Sequence, residues 1–207
     1  MCGRYYMGIE EGTLREVIDA VNRVLKVGDR IPYERVPVGE IAPGSVTPVL
    51  IQTPEGPART LMRWGFPGYA KAGAKAKPRP IINARSETVQ VRPSFAPYLG
   101  QRVLIEASRY FEYLEIVGEK KKQKYGFAPE YGEPFYMAAL YREVPGEALA
   151  VFTILTMDAS PAVMDIHDRM PVILKDKSAR RAWMQGARDL KGLFAEAAER
   201  DVSYERL

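Results

Sequence analysis

The residue of this chain with the most distinctive chemistry is its only cysteine, Cys2. Removal of Met1 would make Cys2 the N-terminal residue, with a free α-amine and a thiol on adjacent carbons. The amine has a pKa of about 7.7–8.0 and is partly neutral near pH 7, and the thiol is intrinsically nucleophilic. Such a 1,2-aminothiol can condense with an aldehyde to a Schiff base, which the sulfur closes into a thiazolidine ring. When only the first residues of the chain are considered, the favoured interpretation is simpler: position 2 holds a small residue that has no chemical role.

Three further polar residues stand beside apolar or aromatic neighbours: Asn83, Glu112 and His167. Strand-like alternation around Glu112 would place it on the same face as Tyr110, where a carboxyl group has a raised pKa and can act as a general acid or base. An outward-facing strand residue fits the pattern equally well. His167 is the only imidazole and can transfer protons near neutrality, although a lone loop histidine is more often structural. Asn83 can donate and accept hydrogen bonds at once, so it could hold an N-terminal amine or a carbonyl.

The composition limits the class of protein. The 207 residues are 46% hydrophobic and 27% charged, which is typical of a globular domain. No run of about 18 apolar residues could span a membrane, and the N-terminus lacks the pattern of a signal peptide, so we expect an intracellular, cytoplasmic protein. One cysteine and one histidine argue against a metal site, and we expect no metal and no cofactor. The net charge of +4 is compatible with a nucleic-acid partner and equally with a mixed-charge surface.

The order of predicted elements favours the α+β class. An apolar stripe predicts a helix over residues 10–25, in which Thr13 and Glu16 have the spacing of a capping box. Two short helices are predicted near the C-terminus, at Ser178–Gln185 and Ala187–Arg200. Strands are predicted at Thr47–Thr53, Thr60–Trp64, Arg102–Glu106, Tyr110–Ile116, Pro134–Tyr141, Leu149–Met157 and Val172–Leu174. Many strands with helices at the ends predict a curled, mainly antiparallel sheet in one domain over residues 1–207.

Two lysine-rich segments are predicted to be loops. Residues 68–80 have almost no apolar content, which favours a surface loop. Glu119–Lys124 has the pattern of a basic hairpin loop, and a solvated turn is its favoured interpretation unless a phosphate path lies nearby.

Seven short motifs, in this order along the chain, resemble the SRAP (SOS-response-associated peptidase) family of abasic-site processing proteins. One such motif would be weak, whereas the ordered set is highly specific. The motifs are Met1-Cys2-Gly3-Arg4, Ile41-Ala42-Pro43, Arg63-Trp64-Gly65, Asn83-Ala84-Arg85-Ser86-Glu87, Tyr110-Phe111-Glu112-Tyr113, Phe152-Thr153-Ile154-Leu155-Thr156 and Ile166-His167-Asp168-Arg169-Met170-Pro171. The resemblance implies a single α+β domain built on a barrel-like sheet flanked by helices.

The resemblance also implies a chemistry for the four polar residues. Cys2, after loss of Met1, would crosslink to the ring-opened aldehyde of an abasic site in single-stranded DNA and shield it from strand cleavage. This agrees with the aminothiol chemistry and outweighs the simpler interpretation of Cys2. By the same resemblance, Asn83 would position the Cys2 amine and backbone, and Glu112 would assist release of Met1 and proton transfers. His167 would protonate the deoxyribose ring oxygen, and we expect the protein to be a monomer.

Four residues lie along the DNA path that the resemblance implies. Arg4 and Arg85 would contact phosphates, and the aromatic rings of Trp64 and Tyr113 would lie against bases.

The chain departs from the family pattern near these positions. Tyr113 stands where the family usually has a tryptophan, which leaves less area for stacking, and Arg109 stands where it has a small glycine. Glu40 replaces an asparagine and would repel phosphate if it faces the DNA. These departures predict an altered DNA preference, while the catalytic set is intact.

Two other functions stay open on the sequence. One is a cysteine-type peptidase acting on proteins, with Cys2 attacking an amide and His167 or Glu112 as the base. Such an enzyme needs an oxyanion hole and a substrate groove, and the sequence shows neither. The other is a non-covalent single-stranded DNA-binding module in which Cys2 is incidental.

Overall fold

The computed structural model describes residues 2–69, 78–130, 134–198 and 202–207. Within these residues the chain forms two β-sheets and four α-helices. The helices are α1 (Glu11–Val24), α2 (Pro161–Met164), α3 (Lys177–Met184) and α4 (Leu190–Ala198). The strands are β1 (Arg4–Met7), β2 (Gly39–Ile41), β3 (Val46–Thr53), β4 (Gly56–Trp64), β5 (Asn83–Arg85), β6 (Arg102–Ala107), β7 (Arg109–Leu114), β8 (Gln123–Pro129), β9 (Phe135–Arg142), β10 (Val151–Asp158), β11 (Arg169–Pro171) and β12 (Val202–Arg206).

Five strands of the larger sheet form a closed ring. β3 pairs antiparallel with β4 and β6, β6 pairs with β9, and β9 pairs with β10. The ring closes where β10 runs parallel to β4, with Phe152 opposite Trp64. β5 and β11 then extend the sheet along β10. The curled, mainly antiparallel sheet confirms the predicted α+β class, and the parallel closure distinguishes this ring from a regular up-and-down barrel.

The smaller sheet is antiparallel throughout, in the order β12-β8-β7-β1-β2. β7 and β8 form a hairpin whose connection carries the predicted basic loop, although Gln123 and Lys124 already belong to β8. β1 is flanked on both edges, by β2 and by β7. Cys2, two residues before the first residue of β1, therefore lies at the end of an interior strand.

One hydrophobic core joins the two sheets. It contains Tyr5 of β1, Tyr110 of β7, and Trp64 and Phe152 of the ring, and all four are fully buried. The rings of Tyr5 and Trp64 lie 5.3 Å apart between centroids, and Trp64 stacks on Phe152 at 6.2 Å. Cys2 belongs to the same core, so the site and the core are continuous.

Helix α1 covers the outside of the ring with the predicted apolar stripe. Leu14, Val17, Ile18 and Val21 pack with Leu61 of β4 in a second, smaller core. The predicted capping box is wrong, because the helix begins at Glu11 and Thr13 already lies within its first turn. No helix among the described residues is long and apolar enough to cross a bilayer.

The C-terminal part differs from the prediction in two strands, of which β12 was not predicted at all. The predicted strand Val172–Leu174 is replaced by β11, which pairs with β10 from Arg169 to Pro171. The backbone N–H groups of Val172 and Leu174 donate instead to two different strands, so these buried residues cross between neighbours without continuing a ladder. The two predicted C-terminal helices are found as α3 and α4. Residues 199–201 and most of the predicted loop 68–80 lie outside the described residues.

Candidate active site

Four elements bring the predicted polar residues together. Cys2 precedes β1, Asn83 begins β5, Glu112 lies in β7 and His167 lies in the connection between α2 and β11. The register of β1 and β7 pairs Arg4 with Phe111, so the backbone before β1 runs alongside Glu112. Two contacts link these residues in pairs: Asn83 Nδ2 donates to the Cys2 carbonyl at 2.9 Å, and His167 Nε2 lies 3.7 Å from Glu112 Oε2.

Glu112 faces the core because β7 alternates. Its neighbour on the same face, Tyr110, stacks on Phe127 with 5.0 Å between ring centroids, while Phe111 lies on the opposite face beneath the ammonium group of Lys124. The side chain of Glu112 is 4% exposed. Burial disfavours the charged form and raises the pKa of this carboxyl group to about 7. Glu112 is therefore present in both protonation states near neutrality, as a group that exchanges protons requires.

Cys2 is fully buried in this arrangement. Its Sγ donates to the Arg4 carbonyl at 3.7 Å. Burial, and then the nearby charge of Glu112, raise the pKa of the Cys2 thiol far above its usual range, so the sulfur is a thiol and not a thiolate at neutral pH. Asn83 Oδ1 is also buried and accepts no hydrogen bond from a described residue. This acceptor, next to the Cys2 backbone, suits an amine as its donor.

His167 is held in a defined orientation. Its Nδ1 accepts a hydrogen bond from the Arg169 backbone N–H at 3.0 Å, which places the proton of the neutral imidazole on Nε2, towards Glu112. Asp168 Oδ1 lies 2.9 Å from the same Nδ1 and supports the ring when it is protonated. Burial lowers the pKa of His167, so the neutral ring predominates at neutral pH.

Sequence reasoning missed the residue that anchors this histidine, Arg169. Its side chain is 5% exposed and binds both oxygens of Glu87, at 2.6 and 3.0 Å. It also pairs with Asp158 and donates to the Thr156 carbonyl at 2.9 Å. These contacts fix the connection that carries His167 to β10. An arginine two residues after a candidate histidine was the available signal.

The four residues predicted to contact DNA differ in how far the structure exposes them to solvent. Arg4 and Arg85 are exposed, each two residues from a site residue, and Tyr113 is half-buried. The prediction for Trp64 is wrong, because its ring is fully buried, stacks on Phe152 and donates from Nε1 to the Ile82 carbonyl at 3.0 Å. A ring enclosed in this way cannot lie against a base. Trp64 is instead part of the hydrophobic core that joins the two sheets.

The departures from the family pattern are accommodated on the outer face of the smaller sheet. Glu40 pairs with both Arg4 and Lys124. Arg109 pairs with Glu205 of β12 at 2.5 Å. The Arg109 side chain lies over Gly126 of β8, so close that a Cβ atom at position 126 would be 2.6 Å from it. Among the described residues, no group of three or more His, Cys, Asp and Glu side chains is placed to hold a metal ion.

The site centres on a buried cysteine near the N-terminus, whose carbonyl accepts a hydrogen bond from an asparagine. A glutamate–histidine pair lies beside this cysteine. Together with the α+β ring, this arrangement defines a class of protein whose site is built around a cysteine near the N-terminus. Comparison with known proteins agrees with this class. The family model described as SOS response associated peptidase (SRAP) matches residues 1–206, and the chain belongs to this family.

Two curated relatives and one solved structure illustrate the likeness. The abasic site processing protein YedK of Escherichia coli (strain K12) is 32% identical over 193 residues, which covers 89% of this chain and 80% of YedK. The abasic site processing protein YobE of Bacillus subtilis (strain 168) is 31% identical, with 89% and 82% covered. A crystal structure of a protein from Bordetella bronchiseptica has the same fold, with a TM-score of 0.72 at 21% identity over 100% of this chain and 99% of the other.

Proposed function

We propose that this chain is a DNA-repair protein that acts at abasic sites, where Cys2 forms a covalent thiazolidine with the ring-opened aldehyde in single-stranded DNA. The crosslink would shield the site from strand cleavage. The observation that carries the proposal is the Asn83 hydrogen bond to the Cys2 carbonyl beside the Glu112–His167 pair. The names of YedK and YobE as abasic site processing proteins support the choice of substrate.

The first step is removal of Met1, which creates the free amine of Cys2. Water adds to the Met1 carbonyl, the C–N bond to Cys2 breaks, and the departing amine takes a proton. Glu112, with a pKa of about 7, would accept a proton from the water and return it to the amine. Asn83 would hold the Cys2 backbone throughout, since its Nδ2 already binds the Cys2 carbonyl.

The second step opens the sugar. The C1′–O4′ bond of the deoxyribose hemiacetal breaks, O4′ takes a proton and the C1′ hydroxyl loses one. The protonated form of His167, which Asp168 supports at Nδ1, would donate to O4′ from Nε2 and become neutral, and the Glu112 carboxylate would accept the hydroxyl proton. The 3.7 Å between His167 Nε2 and Glu112 Oε2 is longer than a hydrogen bond, so the proton would return from Glu112 to His167 through a water molecule or after a small side-chain movement.

The third step closes the ring. The Cys2 amine attacks the aldehyde carbon, and the carbonyl oxygen leaves as one water molecule after protonation by Glu112. Sγ then adds to the imine carbon, and the thiol proton passes to the imine nitrogen. Because the amine attacks first, the route does not require a thiolate, which burial of Cys2 suppresses.

The non-covalent part of binding would come from Arg4 and Arg85 on phosphates, with Tyr113 beside a base. Such contacts are independent of sequence and weaken with salt. We expect the protein to act as a cytoplasmic monomer.

The raised pKa of the Cys2 thiol also bears on the alternative of a cysteine peptidase for protein substrates. A cysteine peptidase attacks as a thiolate, with a pKa lowered by a cationic partner. Burial and Glu112 act on Cys2 in the opposite direction. We therefore restrict the peptidase activity of our proposal to Met1.

A denaturing gel tests the proposal. The parent protein is incubated with a single-stranded oligonucleotide that carries one abasic site and with the same oligonucleotide lacking it. We expect a heat-stable band of protein–DNA adduct only with the abasic site, and no such band for Cys2→Ala. An equal yield of adduct from Cys2→Ala would overturn the proposal.

A further inference from the structure

We propose that Glu40 is a charge clamp: its carboxylate competes with DNA phosphates for Arg4 and Lys124, weakens the phosphate contacts that these cations can make, and so makes retention on DNA depend on the covalent step. This inference rests on the proposed function, because it assigns a specificity role to a residue beside the same DNA path. It concerns undamaged DNA and can be tested without Cys2 chemistry.

The geometry shows one carboxylate shared by two cations. Glu40 lies on β2, with Oε1 3.1 Å from Arg4 Nη1 on β1 and Oε2 2.5 Å from Lys124 Nζ on β8. Three strands thus place these side chains on one face of the smaller sheet. The Lys124 ammonium also lies 4.0 Å from the centroid of the Phe111 ring, which orders it further.

All three charged side chains reach solvent at this place. Arg4 is 44% exposed, Glu40 33% and Lys124 27%. A phosphate of a bound strand can therefore approach the two cations, but only by competing with the carboxylate that already occupies their donors. Because the exposed pairs are individually weak, the phosphate can displace them at a cost in affinity.

The expected consequence is discrimination. With Glu40 charged, the cluster offers a net charge of one where Arg4 and Lys124 alone would offer two. Undamaged single-stranded DNA would bind weakly and leave, while DNA with an aldehyde would be held by the bond to Cys2. The opposite role is also well defined: Glu40 could order the two cations for phosphate binding, in which case its removal would weaken DNA binding.

Binding of undamaged single-stranded DNA distinguishes the two roles. We would measure fluorescence anisotropy of a labelled oligonucleotide for the parent and for Glu40→Gln over a range of salt concentrations. The clamp predicts an affinity about three- to tenfold higher for Glu40→Gln at about 50 mM salt. It also predicts a steeper slope of log K against log salt, by about 0.7, because removal of the Glu40 charge leaves the cluster with one more net positive charge for phosphates.

Two controls make the result specific. Glu11→Gln removes the same charge from an exposed pair with Arg15 on α1 and should leave the affinity nearly unchanged. In an Arg4→Gln background, the gain from Glu40→Gln should shrink, because one of the two released cations is missing.

The outcomes separate this inference from the proposed function. Equal or weaker binding by Glu40→Gln, or a gain as large for Glu11→Gln, overturns the clamp even if abasic DNA is still crosslinked. Stronger and more salt-dependent binding by Glu40→Gln supports the clamp even if no crosslink forms. Absence of DNA binding by both proteins at low salt also overturns it.

Discussion

At the scale of single residues, the burial of Glu112 sets the proton chemistry of the site. The pKa of its carboxyl group rises from 4.5 to about 7. Between these values the folded protein binds a proton that the unfolded chain has released, so stability falls as the pH rises through this window. His167 acts in the opposite direction, because its lowered pKa makes stability fall as the pH drops below 6.5.

We predict that Glu112→Gln removes the fall in stability with rising pH that the Glu112 carboxyl group causes. At about pH 8 the variant should be more stable than the parent by about 3 kcal/mol, and at about pH 4 the two should be nearly equal, since a tenfold change in proton affinity corresponds to about 1.4 kcal/mol. Urea denaturation at the two pH values measures the difference. Glu115→Gln, at an exposed position, should keep the parental dependence. Parallel pH profiles of the parent and Glu112→Gln would contradict the assignment.

Asn83 is the residue that fixes the backbone of Cys2. Asn83→Ala removes the 2.9 Å hydrogen bond to the Cys2 carbonyl, and we predict a rate of adduct formation about tenfold lower or more, in line with the loss of one buried hydrogen bond. Asn22→Ala is the matched control, because its Nδ2 also donates to a backbone carbonyl at 2.9 Å, that of Ile31. A folded Asn83→Ala protein that crosslinks at the parental rate would show that Asn83 has no positioning role.

At the scale of elements, the end of β4 depends on a glycine. Gly65 has a φ of +122° and its N–H donates to the Phe152 carbonyl at 2.8 Å, which carries the chain past the point where β4 meets β10. A Cβ atom at this position would lie 2.7 Å from Pro80 Cβ. Both the backbone conformation and the close approach therefore exclude a side chain.

We predict that Gly65→Ala lowers the free energy of unfolding by about 3 kcal/mol, from backbone strain together with the contact with Pro80. Gly146→Ala separates the two causes, since Gly146 has a φ of +80° but no atom within 4 Å of the added Cβ. It should cost about 1 kcal/mol. Chemical denaturation of both variants measures the difference, and equal losses would mean that the contact with Pro80 contributes nothing.

The sequence predicts elements well where a long apolar pattern carries the information. The helix over 10–25 and the strands that became β3, β6, β9 and β10 were predicted within a few residues of their bounds. The short strands β1, β2, β5 and β12 were not, because three to five residues hold too little pattern and exist as strands only through their partners. The seven-residue strand β8 was also missed, because its first two residues lie in the predicted basic loop and Gly126 and Pro129 interrupt its pattern. The same reason explains β11, which forms at Arg169–Pro171, where β10 offers free backbone groups, and not at the more apolar residues that follow.

At the scale of the whole molecule, the fold brings residue 83 to residue 2 and residue 167 to residue 112. Residue types and motifs predicted a set of candidate side chains, and the chemical roles of these residues stay a prediction. They did not predict burial: Trp64 has the residue type of a stacking platform, but the closure of the ring places it in the core. Nor did they reveal Arg169 as an anchor or the pairing of Glu40 with two cations, since both depend on strands that are adjacent only in the folded chain.

The most direct test of the central claim is intact mass spectrometry of the purified protein, alone and after incubation with an abasic-site oligonucleotide. The proposed chemistry predicts that the protein alone lacks Met1. It predicts an adduct whose mass is the sum of the protein without Met1 and the intact oligonucleotide minus one water molecule, and no adduct for Cys2→Ala. A protein that retains Met1, or an adduct that persists in Cys2→Ala, would contradict the account.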